Sequence, residues 1–133
     1  MDILLDTHIA LWLLTDDPRL SDVARNLIQN PDNEIFYSVI SMWEVSIKHT
    51  AAKNIPISGK EFLLYCEAAG FRKLELDTNH VFNLETLTQK ENAEEHKDPF
   101  DRMLLAQAKA EGMVLLTHDS KFSTWNENCF LLV

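Results

Sequence analysis

Residues 99–119 read PFDRMLLAQAKAEGMVLLTHD, and the fold class follows from them. Proline suits the first position of a helix, and apolar residues then recur at helical spacing, so a helix is predicted from Pro99 to Glu111. Gly112 is a residue type that commonly ends helices. The apolar run Met113–Leu116 is then short enough for a buried strand. A helix that leads into a buried strand is typical of α/β proteins with a parallel sheet.

The rest of the chain repeats this alternation. Further strands are predicted at Ile3–Leu5, Glu34–Tyr37, Phe71–Leu76 and Cys129–Val133. Helices are predicted at His8–Leu14, after Ser21, from Ser38 to about Lys53, at Lys60–Ala69 and at Asn79–Leu87. The polar segment Thr88–Lys97 is predicted to be a surface loop. We therefore expect an α/β fold whose mainly parallel sheet is covered by helices on both faces.

Length and composition indicate one ordinary folded domain. The chain has 133 residues, of which 46% are hydrophobic and 25% charged, and this profile excludes a disordered or fibrous protein. Its apolar runs are far shorter than the ~18 residues of a membrane helix. The first residues lack the basic and apolar regions of a secretory signal. Because Cys66 and Cys129 match no metal or redox spacing, a cytoplasmic protein is expected, without membrane association.

Charge and glycine content restrict the possible classes of function. Twelve basic residues against 21 acidic ones give a net charge of −9, so bulk attraction to a phosphate backbone is not expected. The acidic surplus favours divalent cations or a basic protein as partners, and an ion can bridge the protein to nucleic acid. With only three glycines, the chain contains neither a dinucleotide-binding fingerprint nor a Walker loop.

Two aspartates directly follow predicted strands. Asp6 follows the first strand and Asp119 follows Met113–Leu116. In a parallel sheet, reactive residues collect beyond the carboxyl ends of the strands. Aspartate is also a common helix N-cap, so each residue is open to that interpretation too.

Glu44 lies within the predicted third helix, on the face that carries Ile40 and Ile47. This apolar setting predicts partial burial, where an acid needs a counter-charge. The alternative is an exposed ion pair with Lys48, because Glu four residues before Lys is the favoured order on a helix.

The segment His96–Asp101, HKDPFD, precedes the last long helix. Asp98 before Pro99 is typical of an N-cap, and Asp101 fits a variant capping box. However, Asp101 also heads the apolar stripe that continues through Leu104. Its carboxylate is therefore expected to point into the fold near the edge of the sheet.

These positions predict that four carboxylates converge, those of Asp6, Glu44, Asp101 and Asp119. Two charges ~5 Å apart repel by about 3 kcal/mol at an effective dielectric of about 20, so the cluster requires protonation or a bound cation. Oxygen-only ligands suit Mg²⁺ or Mn²⁺ rather than zinc. Such an ion can hold a phosphate oxygen and activate a water molecule.

In order and spacing, these motifs resemble the PIN domain family, and most closely the VapC-type toxin ribonucleases of bacterial toxin–antitoxin pairs. The residues that carry the resemblance are Leu4–His8, Ser41–Glu44, His96–Arg102, Leu104–Ala108, Leu116–Asp119 and Phe122. The polar stretch Thr88–Glu95 is longer than is usual in the family.

The resemblance implies a three-layer α/β/α sandwich in which residues 1–133 form a single PIN-like nuclease domain. It implies a metal-dependent endoribonuclease whose catalytic and metal-binding carboxylates are Asp6, Glu44, Asp101 and Asp119. Three further residues would support these ligands from outside: Asp98, Thr7 and Thr117. The resemblance also implies an RNA substrate, a homodimer, and inhibition by a small antitoxin whose basic or aromatic side chains enter the acidic groove.

Other residues near the proposed ligands have open roles. Arg102 is a candidate for contacting phosphate, and a salt bridge to Asp98 or Glu95 is equally open. Structural hydrogen bonds, with substrate binding as the alternative, are expected of His8, His96 and His118. Positions in the core or at an interface, rather than base stacking, are expected of Trp12, Trp43 and Trp125.

Several rival functions were compared with these motifs. A housekeeping RNA-processing PIN nuclease would use the same chemistry, whereas a catalytically silent PIN-like binding module would not need four intact acids. A phosphoacceptor receiver module needs an acidic pair after the first strand and a lysine after the last core strand. A dehalogenase-type phosphatase needs a second aspartate where this chain has His8. The sequence contains neither of the last two patterns.

Overall fold

Five parallel strands form one sheet, in the spatial order β3-β2-β1-β4-β5. The strands are β1 (Asp2–Leu5), β2 (Glu34–Ser38), β3 (Arg72–Leu74), β4 (Val114–Thr117) and β5 (Phe130–Leu132). The computed structural model describes residues 1–51 and 55–133. The predicted parallel α/β fold is confirmed.

Helices connect the strands in the predicted order. They are α1 (Thr7–Leu14), α2 (Asp22–Gln29), α3 (Val39–Thr50), α4 (Gly59–Ala68), α5 (Thr78–Leu84) and α6 (Pro99–Glu111), and a 3₁₀ helix covers Ser120–Thr124. The bounds of α6 are the predicted ones, because Pro99 occupies its first turn and Gly112 ends it with a left-handed φ of 66°. The predicted end of the third helix near Lys53 lies outside the described residues.

Alternate residues of the strands face two separate cores. Ile3 and Leu5 of β1 belong to a cluster that includes residues of α1, α2 and α4, whereas Leu4 belongs to one built mainly on α6. The sheet therefore lies between two helical layers, which confirms the three-layer α/β/α sandwich. Since both faces are covered, the central strands are apolar throughout rather than alternating.

Three elements are shorter than predicted, among them β5, which covers Phe130–Leu132 rather than Cys129–Val133. The apolar pattern predicts a strand over Phe71–Leu76, but β3 ends at Leu74 because its partner β2 ends at Ser38, where α3 begins. The predicted helix Asn79–Leu87 ends at Leu84, and tighter turns follow as the chain approaches β5.

The predicted surface loop is only partly exposed. Within Thr88–Lys97, Gln89 forms an isolated bridge with Trp125, and His96 is 3% exposed. His96 is buried because both of its ring nitrogens find polar partners inside the fold. Across the described ranges, no helix has the length and apolar character needed to cross a membrane.

Candidate active site

The carboxyl ends of β1 and β4 lie side by side, because Leu5 pairs with Leu116. Asp6 and Thr117 therefore meet at this edge, and the Thr117 hydroxyl donates a hydrogen bond of 2.5 Å to Oδ2 of Asp6. The same hydroxyl oxygen accepts the backbone N–H of Asp119 at 3.1 Å. Thr117 thus links the two aspartates that follow the central strands.

The structure distinguishes capping aspartates from one that does not cap. Asp6 occupies the N-cap position of α1, yet its side chain makes no capping bond within the described part of the chain. Asp98 caps α6, since its Oδ1 accepts two backbone N–H groups at 2.9 and 3.0 Å. Asp119 caps the 3₁₀ helix through Oδ1 alone, at 3.0 Å. The capping alternative therefore holds for Asp98, partly for Asp119, and not for Asp6.

Glu44 reaches the same edge from α3 and is 3% exposed. Its Oε2 lies 2.5 Å from Nζ of Lys48, so the acid is buried and this lysine is its counter-charge. The alternative of an exposed ion pair does not hold. Burial lowers the pKa of Lys48, but the hydrogen bond and ion pair with Glu44 outweigh this effect and the pKa is raised. The other oxygen of Glu44, Oε1, is buried and finds no hydrogen-bond partner among the described residues.

Asp101 projects from the first turn of α6 towards these acids. Its Oδ2 lies 2.9 Å from Nε2 of His96, and Nδ1 of that ring accepts the indole N–H of Trp125 at 3.0 Å. The expected structural hydrogen bonds of His96 are therefore present. Polar atoms of His96, Asp101 and Asp119 all lie within 4.8 Å of one another. Since both nitrogens of His96 are engaged, we assign it to positioning Asp101 rather than to binding a metal.

The pKa of Asp101 reports how closely the acids converge. Burial, followed by the charges of the neighbouring carboxylates of Asp6, Asp98, Glu44 and Asp119, raises the pKa of Asp101 to about 8. The other three predicted acids, and Asp98, thus all lie within electrostatic reach of Asp101.

Asp6 is perturbed in the same direction. Burial raises the pKa of Asp6, and the charge of Glu44 adds to the rise. The hydrogen bond from Thr117, the charge of His8 and a backbone hydrogen bond from Thr7 act in the opposite direction. Buried carboxyl groups with raised pKa values at one end of a sheet mark a candidate functional site.

The donor set fits a hard divalent cation. Asp6, Glu44, Asp101 and Asp119 offer carboxylate oxygens only, and Oε1 of Glu44 is buried with no protein partner in the described ranges. Mg²⁺ and Mn²⁺ prefer such oxygen ligands. The residues present therefore fit the ion that sequence reasoning predicts.

The remaining candidates have different surroundings. The Thr7 hydroxyl, expected to orient ligands, donates to Oγ of Ser41 at 2.9 Å instead. Arg102 lines an apolar cleft with Trp43 and Phe100, and its Nε is buried without a partner among the described residues. Its phosphate contact stays a prediction. Trp125 lies in the core as expected, whereas Trp43 is 57% exposed.

A second cluster was missed by sequence reasoning. Asp77, His80 and Glu111 lie together, and Nε2 of the buried His80 is 2.8 Å from Oε1 of Glu111. Nδ1 of His80 accepts the backbone N–H of Asp77 at 3.1 Å, which closes the capping box of α5. Because hydrogen bonds occupy both ring nitrogens, this cluster fixes α5 against α6. The sequence signal was the D-x-x-H spacing at a helix start.

Comparison with known proteins places this geometry in a family. The sequence profile of the PIN domain matches residues 3–127. The chain belongs to the PIN domain family. The matched range includes all four candidate carboxylates, so the resemblance noted from the sequence is confirmed. No curated protein sequence matches the chain significantly.

Solved structures with the same fold come from VapBC complexes. A chain of VapBC2 from Rickettsia felis, bound to a DNA fragment from its promoter, is 17% identical and superposes with a TM-score of 0.65 over 99% of this PIN domain and 98% of that chain. A chain of DNA-bound VapBC from Salmonella typhimurium is 18% identical, with a TM-score of 0.66 over 98% and 97% of the two chains. At these identities the similarity establishes the fold.

Proposed function

We propose that this PIN domain is a divalent-metal-dependent endoribonuclease and the toxin of a VapBC-type toxin–antitoxin pair. The observation that carries the proposal is the convergence of buried carboxylates on Asp101, whose pKa is raised to about 8. We also infer that residues 1–133 form a single nuclease domain. The family match over residues 3–127, and a sheet whose strands come from both ends of the chain, support that inference.

The four carboxylates would hold Mg²⁺ or Mn²⁺ at the edge of the sheet. When bound, the ion would stabilise charge on a phosphate oxygen of RNA and lower the pKa of the attacking water. Thr117 keeps Asp6 in one orientation and favours its ionised form. His96 holds Asp101 through Oδ2, and Lys48 supplies positive charge beside Glu44.

A basic antitoxin is the partner that the charge distribution favours. The chain carries a net charge of −9, and the carboxylate site concentrates acidic groups at one edge. A small protein with a basic segment would place cations where the metal ion binds. The VapBC complexes support this arrangement, and we extend the proposal to a homodimeric toxin, which light scattering of the purified protein tests.

RNA cleavage tests the enzymatic proposal. Purified protein is incubated with structured RNAs in Mg²⁺, in Mn²⁺ and in EDTA. We expect cleavage with either ion, none in EDTA, and a loss of at least ~100-fold in Glu44→Gln. The matched control is Asp2→Asn, an exposed acid at the opposite end of β1. Equal cleavage by wild type and Glu44→Gln, or cleavage in EDTA, contradicts the proposal.

Growth tests the toxin assignment separately. Induced expression should arrest growth of a bacterial host, Glu44→Gln should not, and co-expression of the protein encoded beside the toxin should restore growth. A housekeeping nuclease would cleave RNA in vitro but leave growth unchanged.

A further inference from the structure

We propose that a cleft beside the carboxylate site binds the single-stranded RNA leading to it, with Arg19 contacting a phosphate and Trp12 contacting a base. The proposal rests on the nuclease function proposed above. The proposal identifies the surface that would hold the RNA outside the carboxylate site.

The cleft lies along α1, the helix that begins directly after Asp6. It has a volume of about 460 Å³ and is lined in part by His8, Trp12, Asp17 and Arg19. His8 follows Asp6 by two residues in the sequence, and its positive charge lowers the pKa of that carboxyl. RNA whose scissile phosphate lies at the carboxylates would therefore pass directly over this surface.

Nitrogen-bearing side chains surround the ring of Trp12. The guanidinium carbon of Arg19 lies 5.0 Å from the ring centroid. The rings of His118 and His8 have centroids 5.4 and 6.0 Å from it, at interplanar angles of 69° and 55°. Aromatic rings combined with cationic and hydrogen-bonding side chains are the usual means by which proteins hold single-stranded nucleic acid.

Arg19 is held in place before any substrate arrives. Asp17 accepts hydrogen bonds from its Nε at 3.1 Å and from its Nη2 at 2.8 Å, and the Arg19 side chain is still 67% exposed. The third guanidinium nitrogen, Nη1, has no hydrogen-bond partner in the described part of the chain. An oriented guanidinium with a free N–H group loses little side-chain entropy when it binds phosphate.

His118 is likewise fixed. Its Nδ1 bonds to the backbone carbonyl of Val133, and because a carbonyl oxygen only accepts, Nδ1 must carry a proton. The exposed ring therefore has Nε2 left to accept a hydrogen bond from a sugar hydroxyl of a substrate. His118 also precedes Asp119 directly, so this contact would lie next to the carboxylates.

The side chains of the cleft favour RNA over the basic segment of an antitoxin. Asp17 is the only acid in the described lining and is already paired with Arg19, so a basic peptide would find no free carboxylate there. A phosphate can instead accept the remaining N–H of Arg19, and a basic peptide would be attracted to the carboxylate site itself. RNA would therefore reach the carboxylate site across the cleft, whereas the basic segment of an antitoxin would reach it without binding in the cleft.

Steady-state cleavage of a single-stranded RNA oligonucleotide in Mg²⁺ tests the cleft. We expect Arg19→Gln to raise KM by ~5-fold or more with kcat nearly unchanged, and to reduce the slope of log KM against log salt by about 0.7. Trp12→Leu should raise KM similarly, and its melting temperature checks that the fold is retained. A structural role for Arg19 would not change the salt slope.

The matched control is Arg72→Gln. Arg72 also pairs with an acid, Glu34 at 3.1 Å, and lies 5.3 Å from an aromatic centroid, that of Phe36, but on the edge strand β3. If wild type cleaves RNA and Arg19→Gln matches Arg72→Gln in KM and salt slope, the cleft proposal is wrong and the nuclease proposal stands. If Arg19→Gln weakens only antitoxin binding, the cleft is a protein-docking surface and the proposal is again overturned. Absence of cleavage by wild type instead contradicts the proposed function.

Discussion

Nε2 of His96 donates its proton to Oδ2 of Asp101 across 2.9 Å. The direction of this bond follows from Trp125, whose indole N–H can only donate and which bonds to Nδ1 at 3.0 Å. Nδ1 is therefore unprotonated. Burial also lowers the pKa of His96, which keeps the ring neutral.

Metal-free stability should depend on pH through Asp101. The pKa of Asp101 rises from its ordinary 3.8 to about 8 in the folded protein, first through burial and then through the surrounding carboxylates. Because its folded pKa is raised, Asp101 contributes to the free energy of unfolding a term that is fully present below about pH 4. This contribution is lost as the pH rises through about 8. Since Asp101→Asn cannot ionise, we expect it to melt at least ~5 °C above wild type at pH 8 in EDTA, with a smaller difference at pH 5.

Asp2→Asn is the control for this titration. Asp2 is an exposed acid at the opposite end of β1 and does not contribute to the raised pKa of Asp101, so the pH profile of this variant should run close to that of wild type. Mg²⁺ at pH 8 should then stabilise wild type more than Asp101→Asn. Parallel profiles for Asp101→Asn and wild type would show that Asp101 titrates normally and does not belong to a cluster.

His96→Phe should weaken metal binding without touching a ligand. The ring volume is kept, but Oδ2 of Asp101 loses its donor and the Trp125 N–H loses its acceptor. We expect a loss of ~1–3 kcal/mol in the free energy of unfolding and a 10- to 100-fold weaker Mg²⁺ affinity, roughly, by calorimetry. Trp125→Phe is the matched variant, since it should cost stability while His96 can still donate to Asp101. Unchanged Mg²⁺ affinity in His96→Phe would contradict the positioning role.

Thr117→Val and Thr7→Val form a pair that separates site geometry from packing. Both changes replace a buried hydroxyl by a methyl group, at a cost of ~1–3 kcal/mol each. Of the two hydroxyl groups, only that of Thr117 bonds to Asp6. Losing that bond should raise the pKa of Asp6 further, so only Thr117→Val should weaken Mg²⁺ binding. Thr117→Ser, which restores the hydroxyl, should recover most of the affinity. Equal Mg²⁺ affinities in the two valine variants would contradict a specific role of the Thr117 hydroxyl at the carboxylate site.

Lys48→Met should make folding more dependent on metal. Glu44 is buried, and without Lys48 its charge is neutralised only by a bound cation. We expect the free energy of unfolding to fall by ~1–3 kcal/mol in EDTA. Adding Mg²⁺ should raise the melting temperature of the variant more than that of wild type. Lys60→Met, at an exposed position on α4, is the control. A loss of the same size with and without Mg²⁺ would mean that Lys48 acts independently of the metal site.

Local sequence signals predicted the structure correctly where it depends on residues that are close in the sequence. The bounds of α6 follow from Pro99 and Gly112, and the location of Asp6 at the sheet edge follows from the apolar strand before it. The end of β3 could not be predicted in this way. It depends on where β2 ends, 36 residues earlier in the chain, because Ser38 is the register partner of Leu74.

The roles of individual acids depended on long-range contacts. A helix cap and a metal ligand cannot be distinguished by sequence alone. Asp6 is buried and accepts a hydrogen bond from Thr117, 111 residues away, whereas Asp98 is exposed and caps α6. The burial of His96 likewise depends on Trp125, 29 residues along the chain. Spacing and residue type therefore identified the acids, whereas their hydrogen bonds required the folded sheet.

The contact between Asp6 and Thr117 also sets when the protein can become active during its own synthesis. At roughly 5–20 residues per second, a ribosome needs on the order of ten seconds to add the 111 residues that separate the two. Until β4 has been made and has paired with β1, Asp6 lacks both Thr117 and the acid that follows it. A nascent chain without β4 thus carries Asp6, Glu44 and Asp101 but not Asp119, and the proposed nuclease activity would begin only after β4 has left the exit tunnel.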